Sequence, residues 1–232
     1  MLNDKESDDD LRLVLAPGAS LGGARPKAAV IDADGHLTIA KFPSPTDDWP
    51  VPRWEATAMT LARAAGIDVP DFALHKVQNR PVFIMRRFDR DNAGHRIPFI
   101  SALTALAASD GETRSYLELL DVLRADGAAP ERDAAQLWRR MVFNVLISNT
   151  DDHLRNHGYL RDVGGWLLAP AYDLNPLPVD VKPRYHALTL NEADDESSID
   201  TAMSVARRFG LKQEAARIIA AEVGSQCSLG AR

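Results

Sequence analysis

A chain of 232 residues with 45% hydrophobic content is long enough to bury a sizeable core, as one domain or as two lobes around a cleft. Its 27 basic and 33 acidic side chains leave a formal net charge of −6, which argues against direct nucleic-acid binding, since that affinity comes largely from clustered Lys and Arg neutralising phosphates. A single cysteine, Cys227, excludes an intramolecular disulfide and fits a reducing, cytoplasmic setting; the acidic start, Met1 to Asp10, lacks the pattern of a signal peptide, and no apolar run approaches membrane-spanning length.

The first patterned segment is a small-residue loop, Ser20-Leu21-Gly22-Gly23-Ala24-Arg25-Pro26-Lys27, ahead of an apolar stretch from Ala28 to Ile31. Glycines there would let backbone N–H groups approach a phosphate with no Cβ in the way. Turn chemistry follows at Asp32-Ala33-Asp34-Gly35, and Leu37 to Phe42 alternates as a strand carrying Lys41. A helix is predicted from about Trp54 to Ala65, stopped by Gly66 with Pro70 beyond, and Glu55 falls in its first turn as either a dipole-favoured carboxylate or a partner for Lys41. Phe72 to Val77 and Pro81 to Met85 read as a hairpin around Gln78-Asn79-Arg80, leading into Arg86-Arg87-Phe88-Asp89-Arg90.

Further on, Ala134, Leu137, Met141, Val145, Leu146 and Ile147 form a helical apolar pattern that delivers the loop Asn149-Thr150-Asp151-Asp152-His153-Leu154-Arg155-Asn156. Gly158 to Leu160 and Trp166 to Leu168 read as two short strands around Gly164-Gly165, with Asp173 past their end. Asp194-Asp195-Glu196 marks a solvated loop, and two closing helices, Ile199 to Gly210 and Lys212 to Gly224, follow. His36, His75, His95, His157 and His186 lack ligand spacing and read as surface or loop residues, and Arg86-Arg87 and Arg139-Arg140 as small patches for nucleotide binding or salt bridges.

The order of Asp151, Asn156 and Asp173 points to phosphoryl transfer. A carboxylate such as Asp151 orients an acceptor hydroxyl and takes its proton, while one amide oxygen and one carboxylate suffice for a magnesium ion that keeps phosphate and water ligands. Taken alone, D-x-x-x-x-N also describes a solvated helix C-terminus, where Asn and Asp collect as caps.

Five segments in order give the chain a resemblance to the HipA-like serine/threonine kinases of bacterial type II toxin–antitoxin modules: Gly22-Gly23-Ala24-Arg25-Pro26-Lys27-Ala28, Ala40-Lys41-Phe42-Pro43, Arg87-Phe88-Asp89-Arg90, Asn149 to Asn156, and Ala169-Pro170-Ala171-Tyr172-Asp173-Leu174. The resemblance implies an α+β, two-lobed protein-kinase-like fold: a small β-rich N-lobe with one helix over residues 1–95, and a mainly helical C-lobe over 96–232. It implies ATP and Mg2+ as cofactors, with Asp151 as catalytic base, Asn156 and Asp173 as metal ligands, and Lys41 on phosphates. Gly22, Gly23 and Lys27 would form the phosphate loop, Arg86 and Phe88 the adenine-binding hinge, His153 and Tyr172 the lining of the nucleotide site, and Ser20 a site of autophosphorylation that switches the enzyme off. The implied partners are a protein substrate of translation such as an aminoacyl-tRNA synthetase, and a DNA-binding HipB-like antitoxin. Family members commonly carry a further small subdomain before the glycine loop and more helices after the metal aspartate, so the chain reads as a shortened member or one whose missing subdomain is encoded separately. Two other readings stand beside this one. Asp151, His153 and Asn156 also satisfy the D-x-H-x-x-N loop of aminoglycoside- and choline-kinase-type phosphotransferases, although Thr150 stands where those enzymes usually have glycine. The short length suits an inactive nucleotide-binding subunit that contacts an antitoxin.

Overall fold

In the computed structural model, which describes residues 25–177, 185–192 and 198–229, strands β1 (Lys27–Ile31) and β2 (Leu37–Lys41) pair antiparallel around a turn tied by Asp32. The Asp32 carboxylate accepts from the amides of Asp34 at 3.0 Å and His36 at 2.8 Å. Strands β3 (Phe72–Val77) and β4 (Arg80–Arg86) form the hairpin expected from the sequence, and both turn residues, Gln78 and Asn79, have positive φ, the primed geometry that matches strand twist. The four strands join in the order β1-β2-β4-β3. Helix α1 (Val51–Ala64) supplies Met59 and Ala62 to the core that also takes Phe83 and Met85 from β4, while Ala40, Phe42 and Val82 form a separate cluster.

Helix α1 starts three residues before the predicted Trp54, because Pro52 sits in the first turn, where a missing N–H costs nothing. It ends as predicted at Gly66, whose φ of +74° disfavours any side chain.

The rest of the chain is mainly helical. After β5 (Phe99–Ser101) come α2 (Ala102–Ala105), β6 (Arg114–Ser115), α3 (Tyr116–Asp126) and α4 (Pro130–Leu146); after β7 (Gly158–Asp162), β8 (Gly165–Leu168) and β9 (Leu188–Thr189) come α5 (Ile199–Val205) and α6 (Gln213–Leu229). Strands β5, β7 and β8 form a second sheet, and β6 pairs with β9 in parallel. Helix α4 is the axis of this lobe: Leu137, Trp138, Met141, Val142 and Phe143 are fully buried, and the Trp138 indole donates to the Ala202 carbonyl at 3.0 Å. The predicted single helix from Ile199 to Gly210 is instead α5 followed by a 3-10 turn over Ala206–Phe209, closed by Gly210 in the left-handed conformation. The architecture is therefore α+β in two lobes, a small sheet-and-helix unit ahead of a mainly helical unit.

The lobes are pinned together beside the predicted site. Arg139 and Gln136 of α4 donate to the carbonyls of Ala65 and Gly66 at the end of α1, at 2.7 and 2.9 Å, and the Ala171 amide donates to the Asp68 carbonyl at 2.7 Å. Among the described residues no helix is long and apolar enough to cross a membrane.

Candidate active site

Strand β2, helix α1 and the segment after β8 bring three charges to one point. The Lys41 ammonium lies 2.5 Å from Glu55 Oε1 and 3.0 Å from Asp173 Oδ1. Alternation along β2 puts Lys41 on the same face as Phe83, its register partner in β4, and Lys41 Nζ sits 5.8 Å from that ring. Across β1 the register partner of Lys41 is Lys27, so two lysines stand side by side at this edge. Burial works against the Lys41 charge, but the Glu55 and Asp173 carboxylates override it and hold the ammonium above the ordinary lysine range. Burial pushes the Glu55 carboxyl up, opposed by Lys41. Burial also opposes ionisation of Asp173, yet the Lys41 charge and hydrogen bonds from Lys41 and Asn175 bring it down to about 2.

Asp173 occupies the left-handed region at φ +58°, a conformation that costs a non-glycine residue of order 1 kcal/mol or more and persists only when neighbours hold it. Asn175 does so: its Nδ2 donates to the Asp173 carboxylate at 2.9 Å. Ser148, at the entrance to the predicted catalytic loop, is the matching strained position at φ +55°.

The loop itself keeps its two candidate groups apart in character. Asp151 is exposed, whereas Asn156 is buried. The Asn156 Nδ2 donates to the Asp151 carbonyl at 2.9 Å, which uses the donor end of the amide and leaves Oδ1, a hard oxygen, as the end available to a cation. Tyr172 links this loop to the predicted hinge: its hydroxyl donates to the Arg155 carbonyl at 2.7 Å, and its ring packs on Phe88 at 5.4 Å between centroids. The Arg86 amide donates to the Asp71 carbonyl at 2.8 Å, so its N–H serves the sheet.

Beneath the loop lies a buried polar network that the sequence reading missed. Asp152 accepts from the Tyr116 hydroxyl, from Asn144 Nδ2 at 2.9 Å, and bonds His157 Nε2 at 2.9 Å; Asn149 Nδ2 donates to Asn144 Oδ1 at 3.1 Å. All five residues, and His186, are buried. His157 and His186 are thus core histidines, not the surface or loop residues expected, because the Asp152 carboxylate gives their rings a charged neighbour inside the fold. Burial opposes ionisation of Asp152, but the His157 ring and hydrogen bonds from His157 and Tyr116 hold its carboxyl below the ordinary range. Burial lowers His186, with Asp152 opposing. The sequence signal reached only the helix start: Ser115-x-x-Glu118 is a capping box that begins α3 and sets Tyr116 at its first position.

The Arg139-Arg140 pair is structural. Arg139 bonds Glu222 at 3.0 Å, and the buried Arg140 donates to the Ala169 carbonyl at 2.5 Å, its guanidinium brought down to about 10 by burial. His36 departs from the expectation of no ligand spacing: together with Asp32 and Asp34 it brings ligand-type atoms within 4.8 Å of one another, in the β1–β2 turn that lies between Lys27 and Lys41 in the sequence.

Of the residues expected in the site, Lys41, Glu55 and Asp173 are in direct contact; Asp151, Asn156, Tyr172 and Phe88 are linked through the loop and ring contacts above. Lys27 belongs to β1 and not to a loop, and His153 lines a separate cleft with residues 109–113. Gly22, Gly23 and Ser20, and the Asp194-Asp195-Glu196 loop, lie outside the described residues.

A two-lobed fold with a strand lysine paired to a helix glutamate, and a carboxylate meeting that lysine from the second lobe, is kinase-like. The chain belongs to the HipA-like C-terminal domain family, which matches residues 19–229. It is 32% identical over 182 residues to "Putative kinase Y4mE" of Sinorhizobium fredii, covering 67% of this chain and 41% of that protein. It is also 26% identical over 186 residues to a "Putative kinase" of Haemophilus influenzae, covering 69% and 54%. The chain thus spans about half the length of the curated relatives it matches. Among solved structures it resembles Shewanella oneidensis HipA, from a complex with HipB and operator DNA, with a TM-score of 0.72 at 19% identity over 91% of this chain and 57% of that one. It also resembles the Helicobacter pylori proinflammatory kinase CtkA, with a TM-score of 0.58 at 16% identity over 93% and 90%. At these identities the structural likeness establishes the fold alone.

Proposed function

We propose that the chain is an ATP- and Mg2+-dependent protein kinase that transfers the γ-phosphoryl group to a serine or threonine hydroxyl. The observation that carries this reading is the Lys41 ammonium held between Glu55 and Asp173, 14 and 132 residues away in sequence. Such a lysine, fixed by one carboxylate from each lobe, is set to neutralise phosphate oxygens. Asp173 and Asn156 supply the hard oxygens that suit magnesium, which when bound spreads the developing negative charge of the phosphates. Asp151, exposed beside Asn156, is the base: it accepts the acceptor hydroxyl's proton as the oxygen attacks phosphorus. By the family resemblance Gly22, Gly23 and Lys27 are assigned to the phosphates and Ser20 to autophosphorylation; the Arg86 carbonyl, Phe88 and Tyr172 border the nucleotide, and the lobes divide at residues 95 and 96.

The family and the HipA–HipB–DNA neighbour support a further step: a toxin role in the cytoplasm, with a translation protein such as an aminoacyl-tRNA synthetase as substrate and a HipB-like antitoxin as the DNA-binding partner. Melting the protein with and without Mg-ATP tests the site. Nucleotide at about a hundred times its dissociation constant should stabilise the fold by roughly 2.7 kcal/mol, and more weakly without magnesium. Intact mass and label transfer into a cell lysate then separate a protein kinase from a small-molecule phosphotransferase. A melt unmoved by saturating Mg-ATP rejects the reading.

A further inference from the structure

A cavity of about 350 Å3 lies against the Asp151 loop. It is lined by the segment from Ser109 to Thr113, by His153, Leu154 and Arg155, and by Ala187 and Leu188. Two backbone hydrogen bonds fix its position relative to the proposed base. The His153 amide donates to the Asp151 carbonyl at 3.1 Å, and the Ala187 amide donates to the carbonyl of Thr150, the residue before Asp151, at 3.0 Å. A ligand in this cleft therefore lies alongside the residue that would accept the proton.

The chemistry of the lining narrows what that ligand is. Asp110 on the rim is held by Arg155 at 2.6 Å and Glu112 by Arg114 at 2.6 Å, so each rim carboxylate already has its counter-charge. Leu103, Leu154 and Leu188 give the cleft an apolar surface. The His153 ring is unpinned: among the described residues its buried Nδ1 has no hydrogen-bond partner. A buried polar atom left without a partner asks for an explanation, and a polar group of a ligand would supply one. An imidazole nitrogen donates or accepts according to tautomer, and a polypeptide main chain offers both kinds of group. A sugar or amine acceptor would need several polar or charged groups free to hold it, and the rim has spent its charges internally.

We infer that this cleft seats the polypeptide segment flanking the acceptor hydroxyl, with an uncharged, apolar side chain of that segment on the leucines and a main-chain group on the His153 ring. This rests on the phosphotransfer reading above and names its acceptor side. The test is a positional-scanning library of serine and threonine peptides phosphorylated with Mg-ATP by the whole chain and by two variants. Thr113→Trp fills the cleft from an exposed position, and His153→Ala removes the ring. The wild-type chain should prefer apolar over charged residues at a fixed position next to the acceptor. Thr113→Trp should raise the peptide KM by about tenfold or more with nucleotide KM and melting temperature unchanged. His153→Ala should raise the peptide KM more than the nucleotide KM. An unchanged peptide KM in Thr113→Trp, no flanking preference in the wild type, or no peptide phosphorylated by a protein that binds and consumes Mg-ATP would each overturn the inference. Failure to bind Mg-ATP at all would remove the phosphotransfer reading together with it.

Discussion

Two polar clusters flank the Asp151 loop, and they are built in opposite ways. The Lys41–Glu55–Asp173 cluster draws on three separate segments, leaves the Asp173 side chain 34% exposed, and sits where a ligand can replace one contact with another. The Asp152 cluster is closed: Asp152, Tyr116, Asn144, Asn149 and His157 are all buried, and their hydrogen bonds run to one another. Neighbouring aspartates in one loop thus belong to different structures, Asp151 facing solvent and Asp152 the core. Partial solvation keeps a carboxylate free for chemistry, whereas complete burial among hydrogen-bonded neighbours fixes a backbone path. The second cluster holds the loop in place beside the first.

The largest effect that would break this contrast is on stability. Asp152→Ala leaves His157, Tyr116 and Asn144 buried without their shared acceptor and should destabilise the fold by about 3 to 5 kcal/mol in denaturant titration. A loss below about 1 kcal/mol, the range of an exposed site, would erase the distinction between the two clusters. Asp151→Asn should do the reverse, lowering turnover by roughly 10²-fold or more while melting temperature and Mg-ATP binding stay as in the wild type. Retained turnover would show that the exposed aspartate is not the base. A smaller effect is expected at the start of α3: Ser115→Ala removes the cap beside Tyr116 and should cost about 1 kcal/mol without changing nucleotide affinity.

The mildest effect is a slope against pH. His186, Asp152 and Asp173 all have folded-state values below their ordinary ones, so the unfolded chain takes up protons first as pH falls. Their stabilisation is present above the ordinary values and is lost on acidification, from below about pH 6.5 for His186 and below about pH 4 for the carboxylates. Lys41, held above its ordinary value, contributes fully until about pH 10.4 and loses its contribution as pH rises further. Melting temperatures measured from pH 7 down to pH 4 should fall, and the fall between pH 7 and pH 5 should shrink in His186→Gln. An identical acid limb in that variant would mean that the ring is not the titrating group.

What the sequence determined by itself is local. The β3–β4 hairpin, the stop of α1 at Gly66, the β7–β8 pair and the placement of Asp151 to Asn156 in a loop after a buried helix follow from alternation, turn residues and helical period, which depend on neighbours a few positions apart. The α+β, two-lobed architecture was legible through the order of the five family segments. Tertiary structure alone decided the rest. Glu55 read equally well as a dipole carboxylate until α1 was set beside β2, at 2.5 Å from Lys41. His157 and His186 carried no spacing signal, because their shared partner Asp152 is reached through the fold and not along a helix face or strand. Arg139 and Arg140, adjacent in sequence, separate into an ion pair and a buried carbonyl donor for the same reason: adjacent residues on a helix point about 100° apart, and only the packed neighbours say which direction is the core.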